Sequence, residues 1–69
     1  VIIDIFRDEG GGKYTHLERV TGTPKSLQRY VQTLAVAHGQ RIVVFSGNPR
    51  RVIGRYLYSV SPSGQIYQD

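Results

Sequence analysis

Three arginines and two tyrosines crowd one stretch of this chain, Gly47-Asn48-Pro49-Arg50-Arg51-Val52-Ile53-Gly54-Arg55-Tyr56-Leu57-Tyr58. A guanidinium fork grips phosphate or carboxylate oxygens in pairs, and a tyrosine ring stacks on nucleobases. The spacing therefore points to contact with a polyanion. Arg41 lies just upstream and joins Arg50, Arg51, Arg55, Tyr56 and Tyr58 as a candidate nucleic-acid-binding set. Lys25 and Arg29 extend it from the start of an expected helix, where backbone amides also favour anions. The competing structural role is a solvated sheet edge whose arginines discourage strand-to-strand aggregation.

Other chemistry is weaker. Tyr14, His16 and Glu18 alternate along an expected strand, so they share a face and form a trio capable of acid–base work. The same pattern is more often a plain solvent face. No serine or cysteine nucleophile constellation, paired-carboxylate motif or His-x-x-x-His pair accompanies it, so the chain reads as non-enzymatic. His38 falls at the expected helix end, where an imidazolium favours the dipole and can meet the last carbonyls. Gly10-Gly11-Gly12-Lys13 lacks the glycine spacing and the following Ser/Thr of a phosphate loop, and a hairpin is expected there. With no cysteine there is neither a disulfide nor a thiolate metal site, and the two histidines and five carboxylates show no ligand spacing. No cofactor or metal is expected.

The elements that must position these residues follow from pattern. The 69 residues suffice for one small domain, 1–69. Val1–Arg7 is rich in β-branched residues and reads as a strand, Asp8–Lys13 as a turn, and Tyr14–Thr21 as the returning strand. On that second strand, alternation groups Leu17 with Thr15 and Arg19, and Val20 with the trio. Thr23 is the expected cap and Pro24 the first turn of a helix reaching His38, with Leu27, Tyr30, Val31 and Leu34 on its apolar stripe and Gly39 beyond its end. Arg41–Phe45 is continuously apolar after its arginine and reads as a central strand. Residues 49–60 fit a strand or an Asn48-capped helix; the tyrosines and Gly54 favour the strand. Ser61–Gly64 is a turn and Gln65–Tyr67 a short last strand. The fold class is therefore α+β, a small antiparallel sheet in ββαβββ order packed on one α-helix.

Pro24–Phe45 resembles the helix–strand end of the small basic phycobilisome linker domain, although Gln40 stands where that family has a second glycine and the chain continues to Asp69. The order of glycine-rich hairpin, Val20-Thr21-Gly22, helix and Ile42–Arg50 is similar to the small archaeal and eukaryotic translation-initiation factor that binds the ribosomal subunit, without that family's additional strand. Neither likeness carries a specific motif.

Nine Lys+Arg against five Asp+Glu leave a net charge of +4, which favours a polyanionic partner. No apolar run approaches the length of a membrane helix, and no signal-like segment is seen, so a cytoplasmic protein is expected. The expected function is non-enzymatic nucleic-acid binding, DNA or RNA, through an arginine/tyrosine surface. The alternative is an interaction or assembly module (linker, inhibitor or adaptor) that binds an acidic protein surface. A homodimer is a possible assembly, since so small a core gains from further burial.

Overall fold

The computed structural model describes residues 1–47 and 53–68, apart from the side chain of Ile53. It is an α+β fold with the expected element order: β1 (Ile2–Gly10), β2 (Lys13–Thr21), α1 (Gln28–His38), β3 (Ile42–Gly47), β4 (Ile53–Val60) and β5 (Ile66–Tyr67). The strands form one antiparallel sheet in the order β2-β1-β3-β4-β5, so β3 is central as its apolar run implies. The segment that fitted either helix or strand is strand from Ile53 onward.

Gly10 pairs with Lys13 across the first hairpin, leaving Gly11 and Gly12 as its tip with φ of 61° and 80°. Two consecutive positive-φ positions match the twist of the flanking strands, and glycine adopts them without a Cβ clash.

One face of the sheet carries Ile3, Ile5, Ile42, Val44, Tyr58 and Val60, and α1 closes over it with Val31 and Ala35. Full burial of side chains like these contributes about 1.5–3 kcal/mol each. Tyr58 anchors the connection before the helix, because its hydroxyl donates to the Pro24 carbonyl at 3.0 Å. Burial pushes the Tyr58 phenol above its ordinary pKa. Gln32 ties the helix to the last turn by donating to the Gly64 carbonyl at 2.9 Å.

The helix is shorter than its pattern predicts. Thr23 and Ser26 cap each other, the Ser26 amide donating to Thr23 Oγ1 at 3.1 Å and the Thr23 amide to Ser26 Oγ at 3.2 Å. That reciprocal box closes a turn over Pro24–Leu27, and α1 proper starts only at Gln28, with Leu27 as a cap that makes no side-chain bond. Tyr30, expected in the core, lies exposed on the flank of α1 and donates its hydroxyl to the Glu18 carboxylate. Gly39 ends the helix in the left-handed region, its amide reaching the Ala35 and Val36 carbonyls. The His38 ring turns instead toward Arg7, with Nδ1 3.3 Å from Nη1. Among the described residues, no helix is long and apolar enough to cross a membrane.

Gly47 is a tightly confined backbone position that bears on the sheet's other face. A Cβ there would collide with Asp4 Oδ2 and lie 3.1 Å from both Arg19 Nη2 and Ile2 Cγ2. Gly47→Ala is expected to destabilise the protein by about 1–3 kcal/mol. Gly22→Ala, whose Cβ would meet Leu27 at an ordinary 3.4 Å, is expected to stay within about 0.5 kcal/mol of wild type. Urea unfolding checks both, and equal midpoints for the two variants would contradict the packing described.

Candidate functional site

The face of the sheet opposite α1 holds the arrangement with the clearest chemical meaning. His16, Phe6, Phe45 and Tyr56 form a continuous row of rings across β2, β1, β3 and β4. Phe6 meets His16 with centroids 5.0 Å apart, Phe45 meets Phe6 at 5.6 Å, and Tyr56 meets Phe45 at 5.9 Å. Every step is edge-to-face, with interplanar angles of 73°, 87° and 72°. Phe6, Phe45 and Tyr56 are half-buried, and the His16 side chain is 46% exposed. Phe6 lies opposite Val43 in the β1–β3 ladder, and Val43 lies opposite Ser59 in the β3–β4 ladder; both Val43 and Ser59 are buried.

A buried carboxylate holds one end of the row. Asp4 is only 1% exposed, yet all its polar atoms are partnered. Arg19 forks onto it, Nε donating to Oδ1 and Nη2 to Oδ2, each at 2.9 Å. His16 Nε2 lies 2.9 Å from Oδ1. An ionised carboxylate only accepts hydrogen bonds, so the His16 proton must sit on Nε2. The Arg19 hydrogen bond, helped by His16, holds the Asp4 carboxyl below its ordinary pKa against the opposing effect of burial. Asp4 correspondingly raises the Arg19 pKa.

Two β-bulges aim the outer rings of the row. In the β1–β2 ladder Ile5 pairs with Glu18 but Phe6 pairs with His16, which leaves Leu17 as the extra residue. In the β3–β4 ladder Val44 pairs with Tyr58 but Phe45 pairs with Tyr56, which leaves Leu57 extra. Both leucines pack against the helix-side core. A bulge resets the two-residue alternation of a strand. His16 and Arg19 thereby come to one face although they are three residues apart, as do Tyr56 and Ser59.

These bulges revise several expectations. The Tyr14–His16–Glu18 trio is divided: His16 faces Asp4, while Glu18 accepts from Tyr30 on the helix side. Val20, grouped with the trio by alternation, packs against the core instead. Tyr58 is 0% exposed and belongs to the core, so it is not available for contact with an external ligand. Tyr56 stays on the open face, its hydroxyl donating to the Tyr67 carbonyl at 3.3 Å.

Among the described residues, the predicted cations Arg41, Arg55, Lys25 and Arg29 lie at separate places. Arg41 precedes β3 and places its guanidinium 5.3 Å from the centre of the Tyr67 ring. Arg55 is exposed near the far end of the β3–β4 ladder, its amide donating to Ser46 Oγ at 2.8 Å. Lys25 is exposed in the turn before the helix. Arg29 is exposed on the outer side of α1, beside a shallow hollow of about 430 Å³ shared with Gln32, Thr33, Val36 and Ala37. That side points away from the ring row. Arg50 and Arg51 lie outside the described residues. Phe6, Phe45 and Arg19 were not foreseen as site residues, and His16 was foreseen only as a member of the acid–base trio. A signal for the phenylalanines existed, since strict alternation puts Phe6 opposite in face to Ile3 and Ile5, and Phe45 opposite to Ile42 and Val44.

Chemically, the face offers partly exposed π surfaces, a fixed imidazole and cations at its margins. Among the described residues, no cluster of three or more His, Cys, Asp or Glu suits a metal ion.

The Asp4 cluster has a measurable consequence. Asp4→Ala leaves Arg19 and His16 without their shared anion and is expected to cost about 3 kcal/mol in urea unfolding at neutral pH. The folded-state pKa of Asp4 is depressed, so its stabilisation is present above the unfolded value near 3.8 and is lost as pH falls through the folded value. Glu9, held down to about 2 by Thr15, Gln40 and Arg7, titrates in the same acid range in both proteins. The stability difference between wild type and the variant is therefore expected to shrink below about pH 4. A difference that stays constant from neutral pH to about pH 2 would contradict this assignment.

No protein-family model, curated protein or solved structure matches this chain.

Proposed function

We propose that this domain is a nucleic-acid-binding module that uses the helix-free face of its sheet. The observation that supports the reading is the row His16–Phe6–Phe45–Tyr56, whose partly exposed rings cross four strands on a face that no helix among the described residues covers. Nucleobases stack on such rings with little regard to sequence, each stack contributing about 1–3 kcal/mol. Cations at the margins supply the phosphate side. Arg41 stands next to Tyr67 at one end of the face, and Arg19 lies at the other, linked to Asp4. Arg50 and Arg51, between β3 and β4 in the sequence, extend the basic character that the net charge of +4 expresses. The function needs no catalytic group. The site differs from an arginine patch because the rings are its centre and the arginines its rim.

A second reading attaches to a different surface. β2 is a nine-residue edge strand, and strand addition there is a general way to bind a protein segment or a second copy. It predicts a stable complex or dimer that is indifferent to oligonucleotides.

Fluorescence anisotropy with a labelled oligonucleotide separates the two. Counterion release makes affinity fall at least about tenfold between roughly 50 and 200 mM salt if several phosphates are contacted. Arg41→Ala is expected to weaken binding and flatten the log–log salt slope by about 0.7–0.9, and Arg50→Ala with Arg51→Ala to flatten it further. Salt-independent binding, or no binding at low salt, would rule out the nucleic-acid reading.

A further inference from the structure

The geometry of the ring row restricts the kind of nucleic acid that fits it. Five strands spaced about 4.8 Å apart make a sheet roughly 19 Å across. The duplex major groove is about 12 Å wide and admits a helix or a two-stranded ribbon, not a face of this width. A sheet can also pry open the minor groove by driving apolar wedges between base pairs. Here each ring leans edge-on against its neighbour, and Phe6, Phe45 and Tyr56 are half-buried, so none of these three stands clear of the face as a wedge.

Spacing and orientation narrow the choice again. Neighbouring rings are 5.0–5.9 Å apart, more than the roughly 3.4 Å between stacked bases of one strand. Bases that follow the row must therefore be unstacked from one another. The planes of successive rings are also 72–87° apart. Two nearly perpendicular rings cannot both lie flat along the sheet, so adjacent rings cannot both offer a face to the ligand. At most two rings of the row can therefore lie flat, and the pairs separated by a single ring are Phe6 with Tyr56 and His16 with Phe45.

Resting on the nucleic-acid reading, we infer that the ligand is an unpaired, unstacked single strand, two of whose bases stack on alternate rings of the row. The intervening ring of the row acts as a spacer that holds the stacking rings apart. The phosphates run along the rim toward Arg19 and Arg41. RNA and DNA share this chemistry, since both offer a base face and a phosphate.

The test is anisotropy with a labelled single-stranded DNA octamer, an RNA octamer of the same sequence and the corresponding DNA duplex, at one low salt concentration. Wild type is expected to bind at least one of the single strands at least about tenfold more tightly than the duplex. Leucine variants of His16, Phe6, Phe45 and Tyr56, each checked for folding by circular dichroism, are then compared. Loss of roughly 5- to 150-fold is expected at one alternate pair, with little change at the other. A duplex bound equally well or better overturns this inference and leaves the nucleic-acid reading standing. Equal losses at the adjacent rings Phe6 and Phe45, or no loss at any ring, overturn the alternation. No binding to any of the three probes overturns both the inference and the reading beneath it.

Discussion

The open face of this sheet depends on one buried carboxylate. A lone ionised Asp4 at this depth would be costly, and the chain offsets the cost with a two-pronged Arg19 contact and the His16 imidazole. Both partners come from β2, so the charge cluster joins β2 to β1 through side chains as well as through the ladder. β3 takes part by subtraction, because Gly47 leaves the space that the carboxylate occupies. The same contact orients the His16 ring and fixes its proton on Nε2, and that ring begins the aromatic row. Removing the anion would therefore loosen a strand pairing and free the end of the row together.

The two faces have different physical characters. The helix side is closed by interdigitated aliphatic groups, with Tyr58 inserted whole and its hydroxyl satisfied by Pro24. The open side is a row of rings in edge contact, which is favourable for their quadrupoles and leaves part of each ring accessible. Leu17 and Leu57 mediate between the two sides. Each is the extra residue of a bulge, each packs toward the helix-side core, and each follows an outer ring of the row. By taking up one residue apiece, they let His16 and Tyr56 reach the open face while Tyr58 and Val60 serve the core.

How far the sequence could be read follows from these devices. Unbroken strands were legible: Ile3, Asp4, Ile5 and Phe6 alternate without interruption, and Ile42–Phe45 announces a central strand. The helix was legible from its apolar spacing, but its start was displaced because the Thr23–Ser26 box caps a turn rather than the helix itself. The bulges left no mark in composition. Leu17 and Leu57 look like ordinary strand leucines, and only pairing with a partner strand reveals that two residues oppose one. The errors of face on the strands, Glu18 with His16 and Tyr58 with Tyr56, come from carrying alternation through a bulge, whereas Tyr30 departs from the apolar stripe of the helix. The arginine-rich stretch drew attention because charge is visible in one dimension. Arg41 and Arg55 nevertheless sit toward opposite ends of the β3–β4 ladder, a separation set by register.

The central claim is that the ring-bearing face, not the helix or a strand edge, receives the ligand. The most direct measurement is a nuclear magnetic resonance titration of the folded protein with a short single-stranded oligonucleotide, following backbone amides and aromatic ring protons. The account predicts the largest shifts at His16, Phe6, Phe45 and Tyr56 and at Val43 and Ser59 between the strands, with Arg29, Thr33 and Val36 on the outer side of α1 unmoved. Shifts concentrated on α1 or confined to the outer edge of β2, with the four rings unchanged, would contradict it.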